Sequence, residues 1–568
     1  MTKNWRIKTP NPELQVQFSN ALNIHPIVAQ LLINRRVNSI TEAESFLDGS
    51  LSRLHDPFLM KDMEKAVTRI CQAQAKKELV LIFGDYDVDG VTSSVLLRGI
   101  LSRLGIPVIN YIPHRMEEGY GLNQGIVQIC KDKGVSLLIT VDCGISAFEE
   151  VEALNRASVD VIIIDHHEPG KSLPAAVAAV DPKRSDCPYP FKGLAAVGLV
   201  AKLSQALTGG IWEDDLDLVA IGTIADVAEL RGENRIFVKH GLPKISETKN
   251  HGLQALLEVA KIKGKKFQPS YVGFILGPRI NATGRMGSAI QSLDLFLSID
   301  PAQALVLAQQ LEEHNSLRQK TQKGMVEEAL SMVEREVNFK EHKVIVLNRA
   351  GWHKGVLGIV ASKIMEKYYR PTIVISTQDG VGTGSARSIE GFHIYDALHH
   401  CRDHLENYGG HKRAAGLTLK ENKIEFFRDS INQWAHDILQ TSDLIPSLAL
   451  DAEIPLSLIN LDLLNAVNLL EPYGEGNPPA VFCSRQLTLK SPAQVLGKDT
   501  LKFLVTDGQV SLTAVGFGMG KFRDLVNSGG HIDLAYSLAI DDWNKEPVVS
   551  LKLKDIKDSN YAFTIFPA

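Results

Sequence analysis

Three aspartates at alternate positions form the group in this sequence with the clearest chemical potential. Asp85, Asp87 and Asp89 lie in the segment 84–90 (GDYDVDG), directly after an apolar run that predicts a buried strand. Carboxylates packed this closely repel one another unless a cation neutralises them. A calcium-binding EF-hand also spaces its aspartates in this way, but it needs a preceding helix and a glutamate at loop position twelve. Counted from Asp85, that position is Leu96, so the pattern predicts another kind of metal site.

Acidic and histidine side chains also follow the neighbouring apolar runs. They are Asp142, after the run SLLITV; Asp165, His166 and His167, after the run VDVIII; and Asp226, after the helical stretch LDLVAIGTI. Ligands of an open parallel sheet bind in the crevice at the carboxyl ends of the strands, so we expect these side chains to meet at one edge. The predicted metal ligands are Asp85, Asp87, Asp89, Asp142, His166 and Asp226.

The types of these ligands indicate which cation the site would hold. An oxygen-rich cluster that contains imidazole but no thiolate suits Mn²⁺ or Mg²⁺ better than structural zinc. Several carboxylates that can bridge favour two ions, at a separation of about 3.5–4 Å. A single aspartate at a strand end is more often a helix cap or a turn former. The predicted metal site therefore depends on the combination of residues and not on any one of them.

The remaining sequence predicts the elements that must position these side chains. Apolar strand runs alternate with helical stretches between residues 76 and 299, which is typical of a parallel sheet built from βαβ units. A connecting helix is predicted over residues 300–340 and a second α/β unit over residues 341–442. Short strand runs in 443–568 are typical of a small closed β-barrel such as an OB-fold. Residues 1–75 are predicted to form a helical segment.

Length and composition limit the class of protein. A chain of 568 residues is too long for one hydrophobic core, so several domains are expected. Its net charge of −5 neither requires nor excludes a nucleic-acid partner. The six cysteines form no CxxC pair, which argues against a disulfide framework and a zinc finger. We recognise no signal peptide and no membrane-spanning run of about 18 apolar residues, so we expect a cytoplasmic protein with no membrane partner.

Together, these motifs resemble those of the DHH phosphoesterase family. The matching motifs are DYDVD at 85–89, Asp142, DHH at 165–167 and Asp226. Further motifs resemble the RecJ branch of that family: GPRINATGRM at 277–286, WHKGVLGIVAS at 352–362, GSARS at 384–388, GGHKRAAG at 409–416 and EPYGEGNP at 471–478. The sequence departs from the family at Ala196, where a glycine is common, and at Asp181, where an asparagine is expected.

The resemblance implies a fold and an activity. The fold would be α/β, with two α/β lobes (a DHH domain and a DHH-associated domain) joined by a long helix and followed by a C-terminal OB-fold β-barrel. The activity would be two-metal phosphodiester hydrolysis that releases nucleotides from the 5′ end of single-stranded DNA, in DNA repair and recombination. Single-stranded DNA would be the substrate, and a single-strand-binding protein and a helicase would be the protein partners.

The resemblance also implies roles for individual residues. Asp165 would support a ligating histidine, with direct metal binding as the alternative, and His167 would contact the scissile phosphate. The implied substrate-binding residues are Arg115, Arg279, Asn281, Arg285, Ser385, Arg387, Gly409, Gly410 and His411. Arginine forks suit phosphate oxygens, but each arginine alone is nearly as well explained by a salt bridge. Tyr86, Tyr120 and Trp352 are candidates for stacking on bases, with burial in the core as the alternative.

Three other functions are compatible with parts of the pattern. A DHH enzyme that degrades short RNA oligomers or cyclic dinucleotides would resemble the two lobes alone, so the strand-rich C-terminal region argues against it. A replication scaffold that had lost its ligands is disfavoured, because every candidate ligand is present. An inorganic pyrophosphatase would have no use for the GGH segment at 409–411 or for the barrel.

Overall fold

One short strand and four helices precede the first large sheet. A computed structural model describes residues 3–115, 117–119, 121–541 and 547–559. The first elements are β1 (Asn4–Ile7), α1 (Pro12–Leu22), α2 (Pro26–Asn34), α3 (Ile40–Asp48) and α4 (Met63–Lys76). The side chains of Asn11 and Ser39 cap α1 and α3 by accepting backbone N–H bonds. The sequence predicted helices in this segment and missed β1.

The first lobe is built on a parallel sheet of five strands. They are β2 (Val80–Gly84), β3 (Val108–Tyr111), β4 (Leu137–Val141), β5 (Asp160–Ile164) and β6 (Ala178–Val180), in the order β3-β2-β4-β5-β6. Every residue of β2 is buried, and its side chains alternate between two cores. Ile82 packs into one core, and Leu81 and Phe83 pack into the other. Both faces of the sheet are therefore covered, as expected for a parallel sheet.

Helices cover both faces of this sheet. The helices of this lobe begin with α5 (Val88–Arg103), α6 (Gly125–Lys133), α7 (Phe148–Arg156), α8 (Ala196–Thr208), α9 (Leu216–Ala225), α10 (Gly232–Ser246) and α11 (His251–Val259). Next come α12 (Pro269–Tyr271), a π-helical turn (Val272–Leu276), α13 (Gly277–Met286) and α14 (Ile290–Leu297). These elements end at the connector to the second lobe.

A single long helix joins the two lobes. Helix α15 (Pro301–Glu336) has 36 residues and is capped by Asp300. At 1.5 Å per residue it is about 54 Å long. Its first half packs Leu311 into the core of the first lobe, and its second half packs Met325 against the second lobe. The predicted connecting helix is therefore one continuous element.

The second lobe is a mixed sheet with helices on both faces. Its elements are β7 (Ile345–Ala350), α16 (Leu357–Tyr368), β8 (Thr372–Gln378), β9 (Val381–Arg387), α17 (Ile394–His400), β10 (Asn407–Gly410), β11 (Ala414–Lys420) and α18 (Ile424–Ile438). The strand order is β10-β11-β9-β8-β7. Only β7 and β8 pair in parallel among these strands.

The C-terminal part is a small barrel that forms a partial ring. Its elements are β12 (Ser447–Leu450), β13 (Ala452–Glu453), α19 (Leu461–Asn468), β14 (Phe482–Leu489), β15 (Gln494–Leu496), β16 (Thr500–Thr506), β17 (Ser511–Phe517), α20 (Arg523–Asn527), β18 (Ile532–Asp541) and β19 (Val548–Asp558). The sheet runs β13-β14-β18-β19-β17-β16-β15, and β14 also pairs with β16 over two residue pairs, while the end strands β13 and β15 are not paired with each other. The alternating burial of β16 and β17 gives the barrel a packed interior.

The N-terminal segment is divided between two parts of the molecule. Helices α1–α3 contribute Phe18, Leu31 and Phe46 to the core of the barrel. Strand β1 pairs in parallel with β12. Helix α4 instead packs Met63 and Ile70 against the first sheet. The segment predicted as helical over residues 1–75 therefore packs partly on the barrel and partly on the first sheet.

Within the described ranges, no helix combines the length and the apolar character that crossing a membrane requires.

Candidate active site

The loop after β2 carries the three alternate aspartates. Asp87 is the N-cap of α5, where its Oδ1 accepts the backbone N–H groups of Asp89 at 2.9 Å and Gly90 at 3.2 Å. A Cβ on Gly90 would lie 2.4 Å from the backbone oxygen of Asp85, so this turn requires glycine. The turn holds Asp85, Asp87 and Asp89 at the carboxyl edge of the sheet.

Seven acidic and histidine side chains converge at this edge in three overlapping groups. Within each group, one ligand atom of every member lies within 4.8 Å of the others. The groups are Asp85 with Asp87 and Asp142; Asp89 with His166 and Asp226; and Asp142 with His166 and His167. The structure thus brings the six predicted ligands together and adds His167 to them.

Asp89 connects this cluster to the start of α8. Its two carboxylate oxygens accept the backbone N–H groups of Ala196 at 2.7 Å and Val197 at 2.9 Å. The positive end of a helix dipole stabilises a carboxylate placed in this way. His166 Nε2 lies 3.1 Å from Asp142 Oδ1 and 3.9 Å from Asp89 Oδ2. Because Ala196 contributes only its N–H to Asp89, its departure from glycine leaves this contact intact.

Asp165 holds the two histidines through its Oδ1 and a neighbouring loop through its Oδ2. Its Oδ1 accepts the backbone N–H of His166 at 2.8 Å and lies 2.7 Å from Nδ1 of His167, and its Oδ2 accepts the N–H of Ile145 at 2.9 Å. Although burial opposes it, the His167 hydrogen bond holds the pKa of Asp165 below its usual value. Asp165 belongs to none of the three ligand groups. Its side chain bonds the ring of His167, whereas it meets His166, the histidine predicted to bind metal, at the backbone N–H.

Burial and mutual repulsion disfavour the ionised form of the carboxyl groups in this cluster. Burial, followed by the charge of Asp87, raises the pKa of Asp85 to about 8 and that of Asp89 to about 7. Burial, followed by the charge of Asp89, raises the pKa of Asp226 to about 8. The pKa of His166 falls to about 3, mainly through burial and then the charge of His167, so its imidazole is neutral and can act as a ligand.

The donor set fits divalent cations. Asp85 is 4% exposed, and its Oδ1 is buried without a hydrogen-bond partner. Such an oxygen is costly unless a cation or a proton donor reaches it. Oxygen ligands, neutral imidazole and unrelieved negative charge match the preferences of Mn²⁺ and Mg²⁺. These are the observations on which a metal assignment at this edge depends.

The second lobe presents a polar face built from small residues. Arg387 Nη1 donates to the hydroxyl oxygen of Ser385 at 3.1 Å, so the side chains of these two β9 residues lie next to each other. Ser385 pairs with Gly416 of β11, which in turn pairs with Gly409 of β10. Residues that pair across antiparallel strands share a face of the sheet. Gly409 therefore lies on the same face as Ser385, and the exposed Gly410 and His411 follow it in the chain.

Arginines connect this face with the metal-ligand cluster. The guanidinium of Arg115 lies 4.7 Å from the ring centre of Tyr86. Arg285 donates to the backbone oxygen of Gly355 at 3.1 Å and so bridges the two lobes. Arg279 forms a salt bridge with Glu312 at 2.5 Å, which is the alternative that the sequence left open for each arginine. Asn281 lines a small cavity beside Arg285.

Of the two alternatives left open for Trp352, stacking on bases or burial in the core, the structure supports burial. Its side chain is only 5% exposed, packs in the core between the connector and the second lobe, and donates to Glu328 at 2.8 Å. Tyr86 is half-buried beneath Arg115, so one face of its ring is already covered. Tyr120 lies outside the described residues.

Two residues near the site were not identified as functional from the sequence. Arg318 on α15 is 9% exposed and lines the same cavity as Asn281 and Arg285. The available signal was an Asn-x-x-Arg pattern on the apolar side of the helix. Asn315 and Arg318 lie three residues apart, and both are buried. Asp181 follows β6 and is fully buried, and burial raises the pKa of its carboxyl to about 7.

Family models match three parts of the chain. Residues 79–223 match the N-terminal domain of the DHH family, residues 341–437 match the DHHA1 domain and residues 450–555 match the RecJ OB domain. These matches fall on the first lobe, the second lobe and the barrel. The predicted fold class is confirmed.

Curated relatives and solved structures agree with these matches. The single-stranded-DNA-specific exonuclease RecJ of Bacillus subtilis is 38% identical over 560 residues, which cover 98% of this chain and 71% of that protein. RecJ of Haemophilus influenzae is 34% identical over 555 residues, covering 93% of this chain and 96% of that protein. A crystal structure of RecJ from Thermus thermophilus in complex with Mn²⁺ superimposes with a TM-score of 0.85 at 29% identity, covering 99% of this chain and 80% of that one. A second structure of that protein contains Mg²⁺. The chain belongs to the RecJ family of DHH proteins.

Proposed function

We propose that this protein is a metal-dependent exonuclease that removes nucleotides stepwise from the 5′ end of single-stranded DNA in the cytoplasm, in DNA repair and recombination. The observation that carries this proposal is the convergence of seven acidic and histidine side chains at one sheet edge, in a chain of the RecJ family. A phosphodiester needs charge neutralisation and an activated water, and this cluster faces arginines that can bind the phosphates.

Two Mn²⁺ or Mg²⁺ ions are proposed as the cofactors. Asp85, Asp87, Asp89, Asp142, His166 and Asp226 would hold them. Bound divalent cations would neutralise the nonbridging phosphate oxygens and lower the pKa of a water nucleophile. Asp165 keeps His167 oriented through Nδ1, which leaves Nε2 of His167 for an oxygen of the scissile phosphate.

The second lobe is proposed to recognise the 5′ terminus. Ser385 and Arg387 together offer a hydroxyl and a guanidinium fork, the geometry that suits a terminal phosphate. The charge of Arg115 acts on both Asp85 and Arg387, so this arginine lies where it can bind the phosphates between the two lobes. The N–H groups around Gly409 and Gly410, together with His411, are proposed as further phosphate donors. Arg279 would contribute only if substrate displaced its bond to Glu312.

Digestion of end-labelled oligonucleotides tests this function. Single and double strands, each with and without a 5′ phosphate, are incubated with the protein in Mn²⁺, and short RNA and a cyclic dinucleotide serve as competing substrates. We expect mononucleotide release from the 5′ end of single-stranded DNA only. Preferred turnover of the short RNA or of the cyclic dinucleotide would contradict the proposal. Proposed protein partners are a single-strand-binding protein and a helicase, which co-purification with a tagged chain would identify.

A further inference from the structure

A long groove runs from the metal-ligand cluster to the barrel. Its volume is about 1020 Å³. It starts at Ala225 and Val227, the two residues on either side of Asp226, and it reaches the exposed Lys552 of β19. Between these ends it is lined by parts of α10, of the π-helical turn and of the segment that follows α19. We call it the Phe274 groove, after a residue of that turn.

The Phe274 groove continues the small cavity beside Arg285. Ala225 and Gly273 line both spaces. The cavity also reaches Ile359 of the second lobe, whereas none of the described residues that line the groove belongs to that lobe. The order in space is therefore second lobe, cavity, groove and barrel. Asp226 directly follows Ala225, so this metal-ligand candidate lies beside the junction of cavity and groove.

Two apolar side chains that line the groove are exposed to solvent. Phe274 is 82% exposed, and Val227 is 63% exposed. Single exposed apolar side chains are ordinary at a protein surface, but two in one groove indicate an interaction site. Phe274 lies on the π-helical turn, an element that is frequent at functional sites. An exposed aromatic ring beside a phosphodiesterase centre offers a stacking surface to a base.

The backbone of Val227 indicates that its side chain has a function. Its φ is 62°, which lies in the left-handed region, and it is the second residue after α9. Glycine is usual at such a position after a helix, because a β-branched residue is strained in this conformation. Burial does not compensate the strain, since the side chain is mostly exposed. A strained residue beside a metal-ligand candidate is a reason to infer a role in function.

The charges that line the groove argue against phosphates as its main ligands. Three lysines are matched by three glutamates: Lys239, Lys266, Lys552, Glu247, Glu471 and Glu475. A groove that follows the phosphates of a strand is positively charged. Because this lining has no net charge and carries exposed apolar side chains, it suits the bases of a strand better than its phosphates.

We propose that the Phe274 groove holds the single strand on the 3′ side of the cut, with a base stacked on Phe274 and Val227 in contact with the same stretch. This inference rests on the proposed exonuclease function. The side follows from the order of the spaces. If Ser385 and Arg387 take the 5′ terminus in the second lobe, the retained strand leaves past Asp226, away from that lobe and into the groove.

An abasic scan of the substrate tests this path. Each substrate is a 5′-phosphorylated single strand of about 12 nucleotides that lacks one base but keeps every phosphate, and release of its first nucleotide is measured in Mn²⁺. We expect one position 3′ to the cut where loss of the base raises KM about tenfold at unchanged kcat, the value of one stacked base. In Phe274→Ala that penalty should fall to less than about twofold, because the two changes remove one interaction.

Two controls separate base stacking from other effects. Phe426→Ala removes an exposed phenylalanine from α18 of the second lobe and should leave every abasic penalty unchanged. In anisotropy titrations with a labelled single strand in EDTA, Phe274→Ala should weaken binding about tenfold without changing the slope of log K against log salt. A shallower slope would mean that a phosphate contact was lost, and it would overturn stacking on Phe274.

Val227→Gly separates a contact with the strand from a structural role. Glycine relieves the backbone strain, so the urea midpoint should rise, whereas KM for the long strand should increase about threefold through lost apolar contact. Ser158→Gly is the matched control: Ser158 is exposed and has a φ of 61°, so its replacement should raise the urea midpoint and leave KM unchanged. A loss of kcat without a change in KM in Val227→Gly would refute the contact.

The outcomes distinguish this inference from the proposed function. If the unmodified protein cleaves no single strand from its 5′ end, the proposed function fails. If it cleaves, but no abasic position 3′ to the cut raises KM, the strand does not stack in the groove. That scan needs no variant, so it decides the question even if Phe274→Ala fails to fold. Equal abasic penalties with and without Phe274, together with loss of a co-purifying protein, would assign the groove to a protein partner and overturn the inference.

Discussion

Arg235 gives the sharpest test of how the three parts of the molecule are held together. It lies on α10 of the first lobe and is 1% exposed. Its guanidinium donates to five backbone carbonyl oxygens: those of Phe46 at 2.8 Å, Leu469 at 3.5 Å, Leu470 at 3.0 Å, Glu471 at 2.7 Å and Pro472 at 3.3 Å. One acceptor belongs to the N-terminal segment and the others follow α19. A single side chain thus joins the first lobe, the N-terminal helices and the segment that leads into the barrel.

The expected loss of stability follows from these distances. Three of the bonds are 3.0 Å or shorter, and a hydrogen bond to a charged group contributes about 1.5–3 kcal/mol. Burial lowers the pKa of Arg235 to about 10, so the group is charged at neutral pH and its desolvation offsets part of this gain. The loss of three such bonds, less the offset from desolvation, amounts to about 3–5 kcal/mol, because the buried carbonyl oxygens are left without their donor. We expect Arg235→Met to lower the free energy of unfolding by that amount.

Urea unfolding followed by circular dichroism measures this effect. Lys239→Met is the matched control, because Lys239 lies one turn later on α10 and its Nζ donates to Leu47 and Asp48 from a half-buried position. The control should lose about 1 kcal/mol or less. If Arg235→Met unfolds at the same urea concentration as Lys239→Met, then Arg235 does not hold the parts together as argued.

Three further predictions concern the candidate site. Asp87→Asn should abolish cleavage in Mn²⁺ but keep the α5 cap and single-strand binding. Asp87→Ala should abolish cleavage and also lower the free energy of unfolding by about 1 kcal/mol, because the cap is lost. Cleavage by either variant would refute the metal assignment. Asp165→Asn should lower the pKa of the His167 imidazole in an NMR titration, because the carboxylate now raises it; an unchanged pKa would contradict this role. The pKa of Asp181 is about 7 in the folded protein and 3.8 for the free side chain. Ionisation of this carboxyl therefore lowers the free energy of unfolding progressively as the pH rises from 4 to 7. Asp181→Asn should therefore stabilise the protein by up to about 4 kcal/mol at pH 8 and by less at pH 5, and an equal effect at both pH values would exclude this explanation.

The strands that the sequence predicted are those with a strong apolar signal. β2, β4 and β5 are runs of large apolar residues that are buried on both faces, and such runs can be recognised without tertiary information. The strands β3 and β6 were missed because one is only half-buried and the other has three residues. β9 reads VGTGSAR, whose glycines and serine predict a turn. Its glycines are explained by the side chains of the neighbouring strands, since a Cβ on Gly384 would lie 2.9 Å from Leu417 and 3.1 Å from Ile375.

The candidate site was predictable to the extent that its residues cluster in the sequence. Asp85, Asp87 and Asp89 share one turn, and strand topology alone places Asp142 beside them. Arg318 was missed, because an arginine in a long polar helix is normally exposed and its spacing from Asn315 is the one sign that it lies on the buried side. Its burial depends on how α13 packs against α15. The sequence could not decide between the two alternatives for Trp352, since its environment is set by contacts between the connector and the second lobe.

The pairing of β1 with β12 means that part of the N-terminal segment cannot complete its fold until late in translation. The two strands are about 440 residues apart in the chain, and α1–α3 likewise pack on a barrel that is translated last. At about 5–20 residues per second, a ribosome needs about 20 to 90 s to make the missing partner. During that interval the apolar faces around Phe18 and Leu31 have no native surface to cover them. The nascent N-terminus should therefore be a client of ribosome-associated chaperones until the barrel emerges.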